Sequence, residues 1–582
     1  MSRFATKVNQ SGPVSDLTQT FPDPVRARQD NDTWSRPDDW LALNNTNACE
    51  IAILVPIYEN DSNFFQFQVT TVGGGNYTVD WGDGTTANFV SAALASKRIT
   101  WASVGSGTLT TDGYRQAIIR IYAAGGTNDL LGFAYSRNTN ITSNSADAQI
   151  NEIKVVGTTI IGFALGYGTS GIIQATPPQS MRKFTWTGNC NLSSTAFMFN
   201  ACYSLKEVSF GGLPATTAIT SMFSQCNALQ NVQLGDLPLC THAQTAFSGC
   251  ASLKNISLNL PALTTATNMF NICRSLQSVY LPNLNNLVNA QSMFSNCNSL
   301  QYVYMPNLQA LQQASSMFTG CQSLQEINLP TTNDIRDMTG MFSSSIGLLK
   351  VNIPNVATAT TTSQMFFNCL TLKEINIGPL TAVTNASSMF QSCSSIARVS
   401  LDLPACTNAS QLFQSCVTLQ NVTLVNTSLV QTWSNMFNNC SALNYVSIPS
   451  MAAATSINGM FQSCSSLPSI SLPANTLVSD FSNMFNTCPS LQKITGLNGN
   501  STTSTSNYSN IFSGCFSLGS IGATNMKFTH SIASAKFSAT ELNAYYTALP
   551  TVAAGTLTVT GNWGTATDNI SIAIAKGWTI TG

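Results

Sequence analysis

Charge is what this chain has least of. Only 8% of its 582 residues are Asp, Glu, Lys or Arg, against about 25% in an ordinary soluble domain. The net charge is −1, and the basic residues are scattered without a run. Binding to nucleic acid or to an anionic membrane surface needs a basic patch, so neither is an expected partner. Histidine is almost missing, with His242 and His530 far apart in sequence. General acid–base chemistry depends on His and on clustered carboxylates. No Gly-x-Ser-x-Gly elbow, P-loop, His-Glu-x-x-His or dinucleotide fingerprint occurs. The composition argues against an enzyme, and no cofactor is expected.

Long apolar runs are missing too. Stretches such as Ile160 to Leu165 are strand-sized, far short of the roughly 20 residues of a membrane helix. Met1 to Gln10 contain no apolar core of the signal-peptide kind. The expectation is a soluble protein without membrane insertion that, if its N-terminus is intact, leaves no cell by the general secretory route. Cys-x-x-Cys pairs are absent as well, which removes the usual zinc arrangement; no metal is expected.

What is present is a repeat. A Met-Phe-x-x-Cys-x-Ser-Leu pattern places Phe at 199, 223, 247, 270, 294, 318, 342, 366, 390, 413, 437, 461, 485 and 512. A fixed period of about 24 residues is the mark of a solenoid. Each copy reads Leu-x-x-Val-x-Leu-Pro, then a Thr/Ala/Asn-rich stretch, then Met-Phe. The Val/Leu alternation marks a short strand, Pro ends it, and Met-Phe reads as a helical or 3₁₀ turn filling the core from the opposite wall.

Thirteen cysteines share one repeat position: Cys202, Cys226, Cys250, Cys273, Cys297, Cys321, Cys369, Cys393, Cys416, Cys440, Cys464, Cys488 and Cys515. Ser345 takes that position in one copy. A small residue interchangeable with Ser reads as a buried packing group. Rungs about 4.8 Å apart fit disulfide geometry poorly, so a reduced ladder is expected.

Five segments follow. Residues 1–48 are polar and Pro-punctuated, an extended N-terminal arm that is disordered or laid along a partner. Residues 49–125 read as a small all-β domain with Gly-rich turns. Residues 126–180 are a transition that caps the first turns. Residues 181–524 are the solenoid. Residues 525–582 break the period and read as a C-terminal cap hiding the last edge, with a helix N-capped by Ser538 and its capping-box partner Glu541.

Two resemblances sit on these residues. The segment Asp80-Trp81-Gly82-Asp83-Gly84-Thr85, with the later Gly113 to Tyr122, resembles the PKD family and implies an immunoglobulin-like β-sandwich over 49–125. Asp80 and Asp83 are either turn residues or calcium ligands, with the turn reading favoured. The Met-Phe-x-x-Cys-x-Ser-Leu copies resemble BspA-type leucine-rich repeats, found in bacterial surface proteins and some phage proteins. The implied fold class is mainly β with short helical turns: a leucine-rich-repeat solenoid preceded by a PKD-like sandwich.

The exposed strand positions hold two candidate sites. Glu326, Lys350, Glu374 and Arg398 alternate in sign on successive rungs. Glu326 and Glu374 would lie about 9.6 Å apart, close to an inverting glycosidase pair, but Lys350 between them favours a surface ion-pair ladder. Tyr280 and Tyr304 share one column, with Tyr302 beside them, amid Gln, Asn and Ser; stacked aromatics among amides suit a sugar or a polar loop of a partner. The expected function is non-enzymatic and adhesive. A phage virion protein is expected first, either a tail or fibre-associated adhesin or a head decoration. Its arm would dock on other virion proteins, and its repeat face would meet host glycan, host protein or further copies. A bacterial cell-surface adhesin is the alternative, and a polysaccharide depolymerase using Glu326 and Glu374 the second.

Overall fold

The computed structural model describes residues 6–8, 34–59, 63–124, 130–135, 149–164, 180–475, 477–499 and 507–582. Most of the N-terminal arm and parts of the transition, including Leu165, lie outside the described residues. The chain divides into two compact units, one of residues 19–308 and one of residues 309–582 with 1–18.

In the first unit, Glu50–Ile57 is the joint of the architecture. It pairs antiparallel with Arg115–Ala123 on one side and with Glu152–Val156 on the other. From Glu152–Val156 onward the pairing is parallel, through Lys183–Asn189 and Glu207–Gly212 to Asn231–Gln233. On the far side Tyr77–Asp80 and Thr86–Phe89 complete an eight-stranded sheet. All eight residues of Glu50–Ile57 are buried, which is why this strand reads as a near-continuous apolar run.

A second sheet has the order Gly162–Ala164, Leu130–Tyr135, Phe64–Thr71, Leu94–Arg98. It packs on the first through rings: Phe67 against Trp81, and Phe163 against Phe184 and Trp186. Residue 125 is therefore no boundary in either sheet. The segment assigned by sequence to a cap supplies strands to both. The antiparallel sheet passes into the parallel one because Glu50–Ile57 offers two edges and Glu152–Val156 takes the second.

The repeats form rungs in both units. The strands are short, often three residues, as in Ser278–Tyr280 and Tyr302–Tyr304, with Val279 and Val303 turned inward. The Phe rings stack at 5.1–5.5 Å from Phe199 to Phe294 in the first unit. In the second they stack at 5.3–6.1 Å from Phe318 to Phe512. Each such pair adds about 0.5–1.5 kcal/mol beyond the area it buries.

The wall carrying Met-Phe differs from the helical or 3₁₀ turn expected. It is a ribbon of β-turns in which alternate N–H groups point two ways. In one copy Met269, Asn271 and Cys273 donate to the carbonyl three residues back, while Asn268, Phe270 and Ile272 donate to Gln291, Met293 and Ser295 of the next rung. The rung-to-rung donors two residues before and after Phe take left-handed backbone, as at Asn268 (φ 55°) and Ile272 (φ 63°). A helix would spend those N–H groups within its own turn. The left-handed residues free them to knit neighbouring copies together, leaving few buried donors unpaired.

In the second unit Thr6–Val8 pairs antiparallel with residues 375–377. The 525–582 segment loses the sequence period but keeps rungs. His530–Ser531, Gly555–Thr558 and Trp578–Thr581 pair in parallel, with His530 opposite Leu557 and Leu557 opposite Ile580. The helix Ala539–Ala548 carries the capping box of Ser538 and Glu541, and Lys576 Nζ caps its other end, 2.8 Å from Leu549 O.

Candidate functional site

The strand face is built by period-2 alternation: Val and Leu go in, and the residues between them face solvent. Parallel register then lines up equivalent positions. Ser257, Tyr280 and Tyr304 fall opposite one another, as do Asn255, Ser278 and Tyr302. The Tyr280 and Tyr304 rings stack with centroids 4.7 Å apart and planes 4° from parallel. Tyr302 stands beside them, 43% exposed. Around them the amides are pinned: Ser278 Oγ donates to Asn255 Oδ1 at 2.6 Å, and Asn283 Nδ2 to Asn259 Oδ1 at 2.9 Å. The three tyrosines singled out from the sequence thus share one solvent face. The arrangement offers an aromatic surface and fixed uncharged hydrogen-bonding groups.

The acidic pair is a different matter. Lys350 Nζ lies 3.9 Å from Glu326 Oε1 and 3.5 Å from Glu374 Oε2. A shared cation fills the place an attacking water would need, so the carboxylates form a surface ion-pair ladder. Asp80 and Asp83 act within the hairpin turn. Asp80 Oδ1 accepts from the Gly82 N–H at 2.9 Å, and Asp83 Oδ1 from the Thr85 N–H at 3.1 Å. Asp83 Oδ2 also meets Lys97 Nζ at 2.5 Å. Among the described residues no group of three His, Cys, Asp or Glu is placed to hold a metal ion, and no helix is long and apolar enough to cross a membrane.

The cysteine ladder does more than pack. Cys297 Sγ lies 3.0 Å from Phe270 O, and the same contact recurs from Cys226 to Phe199 and from Cys440 to Phe413. Where Ser345 replaces Cys, its hydroxyl donates to Phe318 O at 2.7 Å. The thiols are buried and free of disulfides, and burial pushes those of Cys369 and Cys416 up to about 12. The thiols of Cys369 and Cys416 therefore stay protonated.

Sequence reasoning missed the end of the N-terminal arm. Trp40 and Leu43 pack on Ala52 and Leu54 of the eight-stranded sheet. Arg36 Nε binds Glu152 Oε2 at 2.7 Å, and the Trp34 N–H donates to Gln230 Oε1 at 2.7 Å. The ring of Trp34 lies under Lys206 Nζ at 5.8 Å. This described end of the 1–48 arm packs on the chain's own sheet. No periodic signal marks it; only the paired tryptophans in a polar stretch could have. Tyr445, in the exposed strand column, and Trp563, in a turn, are 56% and 73% exposed.

The BspA type leucine rich repeat region matches residues 191–315, 314–427, 386–518 and 434–547. The chain belongs to the BspA-type leucine-rich-repeat family. Among solved structures this BspA-type protein is similar to a leucine-rich repeat protein from Bacteroides ovatus ATCC 8483. The identity is 18%, over 66% of this chain and 91% of that one, with a TM-score of 0.37. It is also similar to a leucine rich cell surface protein from Faecalibacterium prausnitzii A2-165, at 17% identity over 66% and 92% of the two chains, with a TM-score of 0.28. No curated protein matches the chain. The BspA-type array is consistent with a non-enzymatic structural protein.

Proposed function

We propose that this BspA-type protein is an adhesin of the bacterial cell surface, binding through the strand face around Tyr280, Tyr302 and Tyr304. The observation that carries the reading is the half-buried Tyr280–Tyr304 stack beside the exposed Tyr302 on a parallel-strand face with few charges. Aromatic side chains such as Tyr are enriched among the anchors of recognition surfaces. The family supports the surface setting. The N-terminal sheets, with their PKD-like hairpin, would act as the scaffold that presents the array.

The test is binding of labelled protein to whole cells and to immobilised cell-surface extracts. Tyr280→Ser/Tyr302→Ser/Tyr304→Ser should lose at least about tenfold in binding, in line with the loss of an aromatic anchor, with an unchanged circular dichroism spectrum. Undiminished binding would remove the site assignment. Immunogold label on phage particles rather than on the cell envelope would return the protein to the virion.

A further inference from the structure

The tyrosine stack is short, and it stops at a serine. Each ring covers one broad face of the other. Parallel register places Ser257, exposed and far shorter than a ring, directly opposite Tyr280 on the preceding rung. Among the described residues, the face of Tyr280 turned toward that rung therefore has no aromatic partner in register. One rung earlier the same repeat position holds Gln233, also exposed. The two rungs are bridged in parallel elsewhere, at His242 and Thr265. Gln233 and Tyr280 thus stand on either side of Ser257, with Ser257 as the floor of the slot between them; the strand of Gln233 ends the eight-stranded sheet and is not itself paired with Asn255–Ser257.

The rims of this slot are polar and held in place. On one side Ser278 Oγ donates to Asn255 Oδ1 at 2.6 Å. On the other runs a ladder in which Asn283 Nδ2 donates to Asn259 Oδ1 and Asn259 Nδ2 to Asp236 Oδ1, both at 2.9 Å. Locked amides lose little freedom when a ligand binds, which favours affinity. The slot combines one open aromatic face, a shallow floor and fixed hydrogen-bonding groups with a single carboxylate.

We infer that this slot seats a neutral sugar, one pyranose ring lying on the open face of Tyr280 above Ser257, its hydroxyls meeting the Gln233 and Asn259 amides. A pyranose is a flat ring with an apolar C–H face and a polar rim. It matches an aromatic wall edged by amides better than a charged ligand would on a face with so few charges. This inference rests on the reading of the tyrosine face as the recognition surface and gives it a ligand class.

The test is affinity electrophoresis in gels containing dextran, mannan or a galactan, run in parallel with the whole-cell binding assay. Wild-type protein should be retarded by at least one of them. Ser257→Tyr, which continues the stack and fills the slot with a residue the next two rungs already carry, should weaken that retardation at least tenfold. Tyr280→Ser should do the same. Ser471→Tyr, an exposed strand position in the other unit, should change nothing. If Tyr280→Ser abolishes cell binding while Ser257→Tyr leaves it intact, the tyrosine face stands and the sugar slot falls. The slot falls equally if no neutral polysaccharide retards a protein that still binds cells through Tyr280, which would point to a protein partner. If Tyr280→Ser leaves cell binding unchanged, the recognition surface itself is misassigned.

Discussion

The thiol of Cys297 donates to the carbonyl of Phe270, one rung back, across 3.0 Å. That carbonyl already accepts the N–H of Cys273 in its own rung at 3.1 Å, so both its lone pairs are used. The Cys position is thus a donor requirement, which Ser345 also meets at Phe318 O.

Replacement at this position should follow donor capacity rather than size. Cys297→Ser keeps the hydrogen bond and should shift stability by less than about 1 kcal/mol. Cys297→Ala leaves a buried acceptor half-satisfied and removes packing, and should cost about 1–3 kcal/mol. Urea unfolding of the two variants side by side checks this; equal losses would show that volume alone matters.

Ile272 occupies a left-handed position, φ 63°, where the neighbouring copies carry Gly249 at φ 79° and Asn296 at φ 60°. A β-branched residue is strained there by roughly 1–2 kcal/mol, while Gly adds back some unfolded-chain entropy. Ile272→Gly should therefore stabilise the protein by about 0.5–1 kcal/mol, even though it deletes an entire side chain. A fall in melting temperature would contradict the strain argument.

Trp40 is 4% exposed and its Nε1 donates to Tyr114 Oη at 3.1 Å. Trp40→Ala should cost about 3–5 kcal/mol, and Trp34→Ala markedly less, because only part of that ring is covered. Thermal unfolding followed by hydrogen exchange in Glu50–Ile57 measures both. If Trp40→Ala is nearly neutral, the arm is a loose tail and the docking claim fails.

His530 is buried against Tyr545, Trp578 and Tyr508, with Nε2 2.7 Å from Tyr545 Oη and Nδ1 2.7 Å from Phe528 O. Burial holds its pKa down to about 4 from 6.5. The unfolded chain then binds more protons between these values, so stability falls as pH drops from about 6.5 toward 4 and is steady above. The full effect is on the order of 3 kcal/mol. His530→Gln should flatten that pH dependence; an unchanged slope would place its origin elsewhere.

Much of this was legible in the sequence because it is local and repeated. The Phe column, the Cys column, the inward Val and the Ser538–Glu541 capping box each follow from side-chain size, period and nearest-neighbour hydrogen bonding. Fourteen copies of one pattern report the same core fourteen times. The ribbon geometry beside Met-Phe was not legible, because left-handed positions filled by Ser, Asn, Gln or Ile carry no single residue signature as Gly would.

What only the tertiary structure decided are the contacts made once. Trp34 to Leu43 meet residues more than 70 positions away, and a single long-range contact leaves no period to read. The join at Glu50–Ile57 depends on which strand claims its second edge, and strand pairing over such distances is set by the packed core. At the tyrosine face the sequence placed Tyr280, Tyr302 and Tyr304 on one surface by alternation alone. Their shared column already pointed to stacking; the 4.7 Å contact between the two rings and the seat of Tyr280 opposite Ser257 follow from rotamers and register, which exist only in the folded chain.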